Sequence, residues 1–97
     1  MKNQVYILHS KKMNRYYIGF TTNLDVRLGF HENAESRKFT SKASDWIVYF
    51  TIACQSEKQG LSIEKHIKKM KSSKYIENLK KFPEMSEGLK NRFRADF

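Results

Sequence analysis

Ninety-seven residues make one domain, long enough for a single small core and too short for two. A hydrophobic content of 39% with 13% aromatics excludes a disordered chain, and no apolar stretch approaches the ~20 residues of a membrane span. Nineteen Lys and Arg against ten Asp and Glu leave a net charge of +9, which directs attention to a polyanionic partner, nucleic acid first.

The first predicted elements are two short runs, Val5-Tyr6-Ile7-Leu8 and Tyr16-Tyr17-Ile18-Gly19, separated by Lys11-Lys12-Met13-Asn14-Arg15. They read as strands near 4–9 and 15–21 joined in one hairpin, with alternation that sets Val5 and Ile7 apart from Tyr6 and Leu8. Thr22 or Asn23 then supplies an N-cap for a helix over about 24–34, with Asp25 in its positive first turn. Leu24 and Leu28 share one face of that helix, and Val26 and Phe30 another. Arg27 and His31, four residues apart, fill the sector between and point the same way.

Residues 35–45 read as a polar loop. Trp46 through Cys54 is the longest apolar run, β-branched and aromatic, and its length suits a buried third strand. Ser56-Glu57-Lys58-Gln59 matches a capping box. Ile63, Ile67 and Met70 follow as the core stripe of the next helix, with Glu64 at the edge of that stripe. Ser72-Ser73 marks a kink or restart, Tyr75, Leu79 and Phe82 supply a further apolar face, and Pro83 ends it. Ser86 to Phe93 forms a short final helix.

The order ββαβαα implies an α+β fold: a small, mainly antiparallel three-stranded sheet flanked by helices. Residues 1–82 hold its body, and 83–97 form a terminal helix or tail of the same domain. The lone cysteine, Cys54, forms no internal disulfide and reads as a small core residue. Met1-Lys2-Asn3-Gln4 leads into only four apolar residues, which is no signal peptide, so a cytoplasmic location with no membrane contact is expected.

The positive charge is uneven. Residues 57–82 carry eight basic and three acidic side chains, whereas 83–97 are balanced at three of each. Lys42, Lys68, Lys69, Lys71 and Lys74 are the candidate phosphate contacts. The polar residues that fit a pure packing account least are Tyr6, Tyr17, Arg27, His31 and Glu64. Hydrolysis of a phosphodiester needs a group to align and deprotonate water and positive charge where the phosphorane builds up. It also needs, in most cases, a divalent cation held by a carboxylate. A tyrosine beside a metal or an arginine can have its phenol pKa lowered enough to act as base. Arg27 offers a planar fork for phosphate oxygens, and Glu64 one hard oxygen ligand. One carboxylate suffices for Mg²⁺, which fills its shell with water and substrate phosphate.

In this order the motifs resemble the GIY-YIG nuclease superfamily, in particular its small single-domain members, similar to the nuclease domain of the excision-repair incision protein and of homing endonucleases. Gln4-Val5-Tyr6 stands at the first tripeptide and Tyr17-Ile18-Gly19 matches the second. Asn23 through His31 matches the helix with its arginine and histidine, Thr40 and Trp46 sit where this subfamily places threonine and tryptophan, and Glu64 matches the metal-binding glutamate. The first motif keeps only its tyrosine. Phe20 stands where some repair-type relatives carry lysine, and Asn78 is the nearest counterpart of a late asparagine.

The resemblance implies a metal-dependent endonuclease acting on DNA, with Tyr6, Tyr17, Arg27, His31 and Glu64 as catalytic residues. It implies Mg²⁺ or Mn²⁺ on Glu64, and these five residues are expected to converge on one face of the sheet. Water activated by Tyr6 or Tyr17 would attack phosphorus, Arg27 would neutralise developing charge, and His31 would bind phosphate or shuttle a proton. Site-specific cutting is expected to need a second copy of the chain or a protein partner. The alternative is a non-catalytic nucleic-acid-binding module that keeps the fold and the basic surface.

Overall fold

The computed structural model describes residues 2–32 and 45–94; at 29–32 it describes the backbone. The elements run β1 (Asn3–Ser10), β2 (Arg15–Thr21), α1 (Leu24–Glu32), β3 (Ile47–Cys54), α2 (Glu57–Met70), α3 (Ser73–Lys81) and α4 (Pro83–Arg92). The three strands form one antiparallel sheet in the order β2-β1-β3, so β1 is central and the other two are edges. The chain adopts the expected α+β class, with the ββαβαα order followed by the terminal helix α4. Among the described residues no helix is long and apolar enough to cross a membrane.

Alternation along β1 divides the molecule. Val5 and Ile7 join Ile52 of β3 and Ile63, Ile67, Ile76, Leu79 and Leu89 of the helices in one buried cluster. Each isoleucine so buried contributes about 1.5–3 kcal/mol relative to exposure. Tyr6 and Leu8, equally buried, point to the other face of the sheet. Thus α2, α3 and α4 cover one face, and the tyrosine of the first motif lies on the opposite one.

Local chemistry sets the helix ends. Asn23 caps α1: its side chain accepts from the Val26 N–H at 3.2 Å, while Thr21 Oγ1 accepts from the Asn23 N–H at 3.0 Å. Ser56 caps α2 by accepting from the Gln59 N–H at 3.1 Å. The reciprocal half of the expected capping box is absent. Gln59 Oε1 instead accepts from the Gln55 N–H at 2.6 Å, and its Nε2 donates to the Lys90 carbonyl at 2.9 Å, tying α2 to α4. The chain restarts at the two serines as expected: Lys71 turns left-handed at φ 48°, and Ser72 caps α3. Pro83 both stops α3 and occupies the first turn of α4, which therefore starts three residues before the expected Ser86.

Two packing expectations are corrected. Met70 is 43% exposed, because the buried stripe of α2 runs through Gln59, Gly60, Ile63 and Ile67 and ends a turn earlier. β3 is an edge strand, not a buried one; only Ile52 is fully enclosed, and Ile47 is 61% exposed. Cys54 packs against the core, and burial raises its thiol pKa, as befits an inert side chain.

Candidate active site

The two motif tyrosines come together. Tyr6 and Tyr17 project from neighbouring strands onto the same face, with ring centroids 6.3 Å apart and planes tilted by 32°. Their side chains are hydrogen-bonded. Gly19, directly opposite Tyr6 in the register, makes room for the ring to cross β2; a Cβ there would stand 2.5 Å from both Cζ and Oη of Tyr6. The second motif thus supplies one partner for the Tyr6 hydroxyl and the space that the hydroxyl occupies.

Arg27 and Glu64 both act electrostatically on Tyr6. The phenol is pushed well above its ordinary range, first by burial and then by Tyr17; Arg27 opposes the rise, and Glu64 and the Tyr17 hydrogen bond add to it. The expectation that a neighbouring arginine lowers a tyrosine's pKa is therefore met for Tyr6 only as a minor contribution. Tyr6 is 1% exposed, and desolvation of the phenolate outweighs Arg27.

These charges arrive from different elements. Arg27 lies on the exposed surface of α1, its backbone N–H bonded to the carbonyl of the capping Asn23 at 3.1 Å. Glu64 lies on α2, whose Ile63 and Ile67 pack against the opposite sheet face. Glu64 acts on Tyr6 from this second helix. A contact between Phe20 and Gly60 sets the approach of α2 to β2. The Phe20 ring of β2 lies against the bare backbone of α2, where a Cβ on Gly60 would collide with Cε1 and sit 2.5 Å from Cδ1. Glu64 follows one helical turn later on the same side. Sequence reasoning missed Gly60 and treated Phe20 only as a departure; a glycine inside a strong helix pattern was the available signal.

The Glu64 carboxylate pairs with Lys68 Nζ at 2.7 Å, with the two side chains 17% and 54% exposed. An i,i+4 pair of this type is worth about 0.3–0.5 kcal/mol, so a competing ion would displace it at little cost. Among the described residues no group of three or more His, Cys, Asp or Glu is placed to hold a metal. A single accessible carboxylate fits a hard cation whose remaining ligands are water and substrate phosphate, and does not fit a closed structural site.

The remaining expected site residues are distributed as follows. His31 lies on the last turn of α1, with its side chain outside the described residues, as are Lys42 and Thr40. Lys68 and Lys69 end α2, Lys71 is its left-handed cap and Lys74 is in the first turn of α3, so these four cluster at the α2–α3 junction. Asn78 is half-buried on α3, and its carbonyl accepts from the Phe82 N–H. A further polar clamp escaped sequence reasoning. Asp45, just before β3, accepts from Ser10 Oγ at 2.6 Å and from the Lys12 N–H at 2.8 Å, fastening the entry of β3 to the hairpin turn. Those two bonds, Ser10 first, hold its carboxyl below the usual range.

The family model of the GIY-YIG catalytic domain matches residues 2–77. No curated protein and no solved structure matches the chain.

Proposed function

The chain belongs to the GIY-YIG family, a family of endonucleases, and from that premise we propose that it is a metal-dependent endonuclease that hydrolyses phosphodiester bonds in DNA. The observation that carries the reading is the Tyr6–Tyr17 pair, its rings 6.3 Å apart on one sheet face with Tyr6 seated over Gly19, with Arg27 and Glu64 both near enough to act on the Tyr6 phenol. Packing alone gives no reason for an arginine and a carboxylate from two helices to act on one buried phenol.

In this reading Arg27 binds the non-bridging oxygens of the scissile phosphate and offsets the charge that grows on them. Tyr17, half-buried where Tyr6 is enclosed, is the member of the pair that reaches the attacking water. Tyr6 keeps its own proton and fixes the orientation of Tyr17 through their hydrogen bond. The water oxygen bonds to phosphorus as its proton passes to Tyr17 in its phenolate form, and the bond from phosphorus to the leaving oxygen breaks, that oxygen taking up a proton from solvent. Glu64 would hold Mg²⁺ or Mn²⁺, which when bound supplies charge neutralisation at the phosphate. His31 serves as a further phosphate contact. The lysines at the α2–α3 junction, with Lys42, hold the nucleic-acid backbone, and a second copy or partner protein supplies any sequence preference.

Supercoiled plasmid incubated with the protein tests this. Nicking with Mg²⁺ or Mn²⁺, abolished by EDTA, is the expected result. Binding without nicking under every divalent condition would leave a nucleic-acid-binding module in place of an enzyme.

A further inference from the structure

Tyr16, the neighbour of the motif tyrosine Tyr17, has no part in the reading above, yet it belongs to a compact cluster of three rings, one from each strand. His9 of β1 and Tyr16 of β2 are register partners with ring centroids 4.6 Å apart. Tyr49 of β3 completes the cluster, 5.1 Å edge-on from Tyr16 and 5.9 Å from His9. The Lys80 ammonium of α3 sits 4.4 Å from the Tyr49 centroid, and Glu77, one turn earlier, acts electrostatically on Tyr16.

The cluster depends on a break in the ladder. Phe50 pairs with Ile7 but Val48 pairs with Leu8, so Tyr49 is the extra residue of a bulge. In a regular strand Tyr49 would oppose Leu8 and face the other way. The bulge turns it onto the face of His9 and Tyr16. Core packing accounts for the inner surfaces of Tyr16 and Tyr49. It gives no account of a histidine and a lysine in the same cluster, nor of three rings that all remain partly exposed.

We propose that His9, Tyr16, Tyr49 and Lys80 form a stacking platform for unpaired nucleobases, so that the substrate class is single-stranded or locally unpaired nucleic acid. This rests on the nuclease reading for its relevance to cutting. Aromatic side chains beside a cation take single strands, because an unpaired base exposes the π-face that a duplex keeps stacked inside. Position favours the same occupant. Tyr16 and Tyr17 are consecutive residues of an edge strand, about 3.8 Å apart at Cα, and face opposite sides of it. A nucleic-acid strand passing over the β2 edge meets the reacting tyrosine on one side and the platform on the other. The Phe20 end of β2 is closed by α2 through Gly60, whereas Tyr16 at its other end stays partly exposed.

Fluorescence anisotropy in EDTA tests the proposal with a labelled oligothymidine, an abasic oligonucleotide of equal length and a duplex. The wild-type protein is expected to bind the thymidine strand about tenfold more tightly than the abasic one. Tyr49→Leu, which keeps an apolar side chain against the core but removes the ring, should bring that ratio near one, with a thermal melt as folding control. The exposed Lys80→Gln should lower it without a folding risk. On the wild-type protein itself, photocrosslinking of a bromouracil strand should label His9, Tyr16 or Tyr49. Equal affinity for thymidine and abasic strands, or crosslinks confined to other residues, would overturn the platform. Nicking by a protein indifferent to bases would sink the platform and keep the nuclease. Base-dependent binding without nicking in any divalent metal would do the reverse.

Discussion

The ring of Tyr6 lies across Gly19, leaving so little space that any side chain there would enter the phenol. Gly19→Ala therefore acts on chemistry as much as on stability. Overpacking of this kind costs about 1–3 kcal/mol, and Tyr6, enclosed on all sides, can yield only by moving its hydroxyl away from Tyr17. Thermal melts should show a folded but weakened protein. Nicking should be lost even where the melt shows it fully folded, and retention of full activity would contradict the role given to the tyrosine pair.

Two helix-interior glycines should respond to the same substitution with opposite signs. At Gly88 of α4 an added Cβ meets nothing, so Gly88→Ala should stabilise by about 0.5–1 kcal/mol. At Gly60 the gain in helix propensity is outweighed by collision with Phe20, for a net loss of about 1–2 kcal/mol. Denaturant midpoints check both. Adding Phe20→Leu to Gly60→Ala should restore part of the loss, which an additive pair of mutations would not do.

Gln59 is a buried polar residue with both ends of its amide in use. Gln59→Leu keeps the volume but strands the Gln55 N–H and the Lys90 carbonyl. The expected loss is about 1–3 kcal/mol by chemical denaturation. A neutral substitution would show that α4 is not anchored through this amide.

Acid should weaken the α2–α4 contact. His66 lies between Tyr75 and Phe93, at 6.0 and 5.6 Å, and burial, then Arg92 and Lys69, lower its pKa below 6.5. As pH falls through 6.5 the unfolded chain takes up the proton before the folded one does. Stability is therefore lost from that point down to the folded pKa, below which the penalty is complete. Melting temperatures of the wild type should fall more between pH 7.5 and 5.5 than those of His66→Leu. Parallel profiles would contradict the placement of this imidazole.

Local signals made most of the fold legible in the sequence. Alternation around Val5 and Ile7, the cap at Asn23 (one of the two positions expected), the cap at Ser56, the restart at Ser72-Ser73 and the stop at Pro83 each act within a few residues and are found in the structure. What failed to show was nonlocal. Trp46 through Cys54 reads the same whether the strand is central or at an edge, and only pairing with β1 decides that. Met70 continues a helical stripe that tertiary packing abandons after Ile67. Tyr6, Tyr17, Arg27 and Glu64 could be singled out by type and order. The enclosure that raises the Tyr6 phenol, the Lys68 partner of Glu64 and the Phe20–Gly60 contact that sets α2 against β2 depend on distances that no spacing encodes.

Glu64 is the one carboxylate proposed to hold the metal. Its half-exposed partner Lys68 makes truncation cheap for the fold, about 0.5 kcal/mol. The decisive measurement is plasmid nicking by wild type and Glu64→Ala across a Mg²⁺ and Mn²⁺ series, with melts as the folding control and anisotropy in EDTA as the binding control. The account predicts nicking by wild type alone, with Glu64→Ala folded and binding nucleic acid at least as tightly. Equal nicking by the two proteins would contradict it.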